Sequence, residues 1–125
     1  MGRIRTNITI RDKNYWTLFD SGARNTYVTR EVAKQFPIFD LPIANPVALG
    51  GKTQTANKFC NLICKIDQYS IVTHARVLDD IGKDEEGQNI EVLFGALAMQ
   101  EWGIKLDVPG EKLDMTHYSK EFVEF

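Results

Sequence analysis

The hydrophobic pattern of this chain changes period every few residues. Apolar runs are short, they alternate more often than they follow a helical spacing, and Gly, Pro or Asp-Ser-Gly closes most of them. That pattern points to short strands joined by tight turns, with one or two short helices. At 125 residues the chain has the length of one domain with one sizeable core, so residues 1–125 are read as a single domain. Its 43% hydrophobic and 26% charged residues match a globular domain and exclude a disordered, collagen-like or coiled-coil chain.

Residues 4–10 alternate as a strand, and Tyr15-Trp16-Thr17-Leu18-Phe19 reads as a buried strand that stops at Asp20-Ser21-Gly22. A short run from Asn25 to Val28 leads into residues 29–36, where the spacing predicts a helix. Thr29 is placed to cap it, Val32, Ala33 and Phe36 share one face, and Pro37 ends it. Pro42 to Pro46 reads as an extended connector. Val47 to Thr55 then forms two arms around Gly50-Gly51, a dipeptide that favours a two-residue hairpin turn. Strands are predicted at 59–66 and 69–78. Residues 79–87 carry five acids against one lysine, a composition too self-repelling to pack, and are read as an acidic surface loop without an assigned role. Ile90 to Phe94 is an apolar strand ending at Gly95, and Ala96 to Trp102 has helical composition with Gly103 as its C-cap. Two alternating segments, 104–107 and 112–115, flank Val108-Pro109-Gly110-Glu111, placed as in a type II turn. No internal repeat is present.

Fifteen basic residues against seventeen acidic ones, with no basic run interleaved with aromatics, lack the electrostatic footprint of a nucleic-acid binder. No apolar stretch approaches the roughly 20 residues that cross a bilayer, and no apolar segment follows the N-terminus as in a signal peptide. The expectation is a cytoplasmic chain that binds neither nucleic acid nor membrane. Met1 to Thr6 fits the loose myristoylation pattern, but Arg3 to Ile10 alternates like a strand, which is the preferred reading. Cys60 and Cys64 fall on one face of a strand as small apolar residues, and His74 and His117 stand far from metal-ligand spacing. No metal and no cofactor is expected.

The chemistry lies in Leu18-Phe19-Asp20-Ser21-Gly22-Ala23. A carboxylate directly after a buried strand enters a partly desolvated site, Ser21 offers a hydroxyl, and Gly22 permits a tight turn beside the acid. Asp-Ser-Gly is also a common turn composition, so these residues alone leave an ordinary turn open.

Three separated features together resemble the retropepsin-like aspartic proteases. They are the apolar strand ending in Asp-Ser-Gly-Ala at Trp16 to Ala23, the glycine-tipped hairpin at Val47 to Thr55, and Val92-Leu93-Phe94-Gly95 followed by Ala96 to Trp102. The resemblance covers roughly residues 12–116. It implies a mainly β acid-protease half-barrel with one or two short helices, active as a two-fold dimer because the chain carries one Asp-Ser-Gly and the chemistry needs two carboxylates. It further implies that Asp20, Ser21 and Gly22 are catalytic. Asp20 would act directly, Ser21 would hydrogen-bond across the interface, and the Gly22 backbone would orient the carboxylate. Ala23, Arg24, Leu49, Gly50 and Gly51 would bind an extended polypeptide substrate. Arg24 departs from the pattern, since viral members often carry an acid there, so peptide preference does not transfer. Phe94 stands where Leu or Ile is usual, and the tail from Tyr118 to Phe125 would add a strand at the interface.

Two other readings stay open at this stage. One is a retropepsin-like dimerisation or peptide-binding module without catalysis, with Arg24 beside the acid as its motive. The other is an unrelated small β domain in which Asp20 sits in a turn.

Overall fold

The computed structural model describes residues 2–118. Among these residues, nine strands and two helices follow in the order β1 (Arg3–Ile10), β2 (Lys13–Asp20), β3 (Tyr27–Thr29), α1 (Arg30–Ala33), β4 (Ile38–Leu49), β5 (Lys52–Ile66), β6 (Tyr69–Leu78), β7 (Val92–Phe94), α2 (Ala96–Trp102), β8 (Lys105–Asp107) and β9 (Lys112–Asp114). The first seven strands form one sheet in the order β1-β2-β7-β3-β6-β5-β4. A further pairing of Thr9 with Lys65 brings β1 back to β5, so the sheet curls toward a barrel and leaves β4 outside. The ribbon of β8 and β9 stands apart from it. The expected mainly β fold with two short helices is what forms.

Strand burial follows from which faces are covered. On β5, Cys60, Leu62, Cys64 and Ile66 are buried and alternate with outward-facing residues, as a strand with one covered face requires. The central strands β2, β3 and β7 are instead covered on both faces. Phe19, Val28, Val92 and Phe94 point into the main core, while Leu18, Tyr27 and Leu93 point into a second, smaller one with Val47, Ala56, Leu78 and Ile90. That is why Leu18-Phe19 and Val92-Leu93-Phe94 read as unbroken apolar runs. Phe19 and Phe94 are register partners on parallel strands, with ring centroids 5.0 Å apart.

Four local expectations need correction. Pro42 to Pro46 is not a connector but part of β4, whose pairing with β5 breaks after Asp40 and resumes at Asn45. An outer strand tolerates prolines at such an irregularity because its free edge needs no N–H there. The turn between β8 and β9 is not type II: the left-handed residue is Glu111, at φ 51°, while Gly110 donates its N–H to the Asp107 carboxylate. Thr29 holds the N-cap position of α1, yet its hydroxyl makes no capping bond. The acidic loop does pack. Asp84 accepts hydrogen bonds from Trp16 Nε1 at 2.8 Å and from two backbone amides of its own loop, Glu85 pairs with Arg5, and Ile81 rests on the smaller core. The hydrogen bonds to Asp84, led by the one from the Gln88 amide, hold its carboxyl below the usual range. The strand expected in the tail falls from residue 119 onward outside the described residues.

Candidate active site

Asp20 is the last residue of β2, and its position follows from the run of buried residues before it. The strand delivers the carboxylate to the edge of the smaller core, where its side chain is 11% exposed. One oxygen, Oδ1, accepts the Gly22 N–H at 2.8 Å, and the Asp20 carbonyl accepts the Ala23 N–H at 3.1 Å. The turn after the strand is therefore wound around the acid it carries. The other oxygen, Oδ2, lies 3.3 Å from Nε of Arg3, the residue opposite Asp20 in the β1–β2 register.

The loop from Asp20 to Thr26 is fastened from below by the start of α2. Ala96 and Leu97 donate their N–H groups to the carbonyls of Ala23 and Arg24 at 2.7 and 3.1 Å. The Gly95 N–H reaches the buried Thr26 hydroxyl at 3.1 Å. Gly95 is required by the close approach itself, since a Cβ there would run into the carbonyl of Asn25.

Across from Asp20 stands the β4–β5 hairpin. Gly50 and Gly51 form its two-residue tip, both left-handed at φ 57° and 79°, between the paired residues Leu49 and Lys52. This is the hairpin turn that the Gly-Gly dipeptide predicts. Loop and hairpin enclose a cleft of about 600 Å³ lined by Arg3, Asp20, Gly22, Ala23, Arg24 and Tyr27 on one side and by Pro46 to Gly50 on the other. The cleft thus gathers Asp20, Gly22, Ala23, Arg24, Leu49 and Gly50.

Two sequence-predicted residues lie outside that lining. Gly51 occupies the far side of the tip. Ser21 turns toward the start of β1: its hydroxyl accepts the Gly2 N–H at 2.8 Å and donates to the Gly2 carbonyl at 3.3 Å. Arg3, Tyr27 and the 46–48 segment also line the cleft, without a motif in the sequence that marks them. Arg3 was within reach, because a two-residue turn at Arg11-Asp12 fixes a register that sets Arg3 opposite Asp20.

The remaining reactive side chains stand elsewhere. Burial pushes the thiol of Cys60 up to about 11 and that of Cys64 up to about 12, so both stay protonated at neutral pH. The His74 ring stacks on Phe59 at 4.7 Å, and burial, with Arg76 nearby, lowers its proton affinity. Among the described residues no cluster of His, Cys, Asp or Glu is arranged to hold a metal, and no helix is long and apolar enough to cross a membrane.

Among solved structures, the chain is similar to the retroviral protease-like domain of Ddi1 from Leishmania major. The TM-score is 0.62 at 17% identity, over 93% of this chain and 90% of that one. It is also similar to the foamy viral protease-reverse transcriptase in complex with an RNA/DNA hybrid, with a TM-score of 0.53 at 11% identity. That match covers 80% of this chain and only 12% of the much longer viral one. No protein-family model and no curated protein sequence matches the chain. The two structures share a protease fold of retroviral type, and this chain has that retropepsin-like fold.

Proposed function

We propose that this chain is a cytoplasmic aspartic endopeptidase, formed by one domain and active as a homodimer in which two copies of Asp20 meet at a two-fold axis. The observation that carries the reading is Asp20 itself: a carboxylate at the end of a buried strand, braced by the Gly22 amide, facing a cleft under a Gly-Gly hairpin. Two carboxylates brought within a few ångströms share one proton, because like charges at that distance oppose each other. The ionised member takes a proton from water, whose oxygen attacks the peptide carbonyl. The protonated member hydrogen-bonds the carbonyl oxygen and later supplies a proton to the departing amine. An extended polypeptide would lie between Ala23-Arg24 and Leu49-Gly50-Gly51, its backbone pairing with the hairpin. Ser21 would hold the two copies of the loop together. Neither cofactor nor nucleic acid has a part in this scheme.

One observation favours a second reading, a binding module of the same fold without catalysis. The Arg3 guanidinium is paired with Asp20 Oδ2, and that pair must open before the acid can share a proton. Specific activity on unstructured peptides, followed as the protein is diluted and paired with sedimentation of the same samples, separates the two. The endopeptidase reading expects activity to fall as the dimer dissociates. Concentration-independent activity of a proven monomer would overturn the dimer mechanism, and a dimer that cuts nothing would leave the binding module.

A further inference from the structure

The charged groups in the cleft run against the charge of the molecule around it. The chain carries a net charge of -2, yet the basic and acidic side chains along the cleft are Arg3, Arg24 and the single acid Asp20. Arg24 is exposed and takes part in none of the ion pairs among the described residues. Arg3 is 59% exposed, and its bond to Asp20 runs from Nε alone at 3.3 Å, near the long limit for such a contact. No other hydrogen bond among the described residues uses the Arg3 guanidinium, so its Nη groups have no acceptor among those residues, and Arg3 itself lines the cleft.

We propose that Arg3 and Arg24 make this cleft selective for polypeptides bearing acidic side chains, with Arg3 exchanging its contact with Asp20 for one with the bound chain. This rests on the reading of the cleft as a polypeptide site. A guanidinium presents a fixed fork of donors that matches the two oxygens of a carboxylate, a geometry Arg3 does not achieve with Asp20. An acidic residue that engages Arg3 draws it off Oδ2, and the same event frees the acid for its own chemistry. The selection therefore acts on binding through Arg24 and on both binding and the readiness of Asp20 through Arg3.

Two peptides of identical sequence test this, one carrying Glu at the central positions and the other Gln. Their binding to the intact chain with Asp20→Asn, read by fluorescence anisotropy, requires no turnover. The expected result is a preference for the Glu peptide of about fivefold or more at low salt, shrinking as salt screens the exposed guanidinium. In the Asp20→Asn background, Arg24→Glu should invert that preference and Arg3→Gln should reduce it. Equal binding of the two peptides, binding of neither, or a preference that survives both arginine changes would each overturn the proposal. Cleavage by the wild-type chain is scored separately. A Glu preference in binding with no cleavage of either peptide would refute the endopeptidase and leave the acidic selectivity standing, whereas cleavage without a Glu preference would do the reverse.

Discussion

The two walls of the cleft are held by different means. Between Asp20 and Thr26 the backbone is fastened by the Asp20 carboxylate, by the first amides of α2 and by the Thr26 hydroxyl, and Gly95 lies so close that no side chain fits between. The β4–β5 hairpin beyond Asp40 is held by its own cross-strand pairs, by Val47, Ala56 and Leu49 resting on the smaller core, and by Gln54 reaching the backbone of Asp80. Nothing stands within 4 Å of where a side chain would begin at Gly50 or Gly51. The wall that carries Asp20 is overdetermined, while the hairpin is held at one end and open at its tip. The glycines show the same contrast: Gly95 is glycine for lack of space, Gly50 and Gly51 for backbone conformation.

That contrast ranks the expected effects of substitution. Gly95→Ala should be the most damaging, with a loss of about 3 kcal/mol in chemical denaturation, because its Cβ meets backbone that is itself hydrogen-bonded. A loss below about 0.5 kcal/mol would mean that the Asp20 loop yields easily, and the contrast would fail. Gly51→Ala meets open space and suffers only the left-handed conformation, so about 1 kcal/mol is expected from the same measurement. Ile43→Ala, at a residue 71% exposed on the outer strand, should change stability by less than about 0.5 kcal/mol. A larger effect there would show that the hairpin is packed more firmly than its exposure indicates.

Most of this architecture was legible where a residue type admits one explanation. Gly50-Gly51 announced its turn because few other dipeptides accept two left-handed positions, and Leu18-Phe19 before Asp20 announced a strand covered on both faces. Arg11-Asp12 also turns with both residues left-handed, at φ 48° and 70°, but neither is glycine, so residue type signals neither that hairpin nor the Arg3–Asp20 pairing it creates. The acidic loop packs against its composition because its charges find partners elsewhere in the chain. Arg5, Arg30, Trp16 and Gln54 lie far away in sequence and reach residues 79–85 only once the sheet has formed. At the site itself, the local sequence singles out Asp20 and Gly22, and the family resemblance adds Ala23, Arg24, Leu49 and Gly50, all of which line the cleft. On the opposite wall, Pro46 to Ala48 join Leu49 and Gly50 through the β4–β5 register, which shifts between Asp40 and Asn45 and cannot be counted along the chain.

In the proposed function Asp20 performs peptide hydrolysis. Its most direct test is the digestion of a diverse pool of unstructured peptides by the wild-type chain and by Asp20→Asn, at matched high protein concentration over about pH 3.5 to 7.5, read by mass spectrometry. New termini produced by the wild type and absent with Asp20→Asn are the predicted result. Identical cleavage by both proteins, or none by a wild-type sample shown to be dimeric, would contradict it.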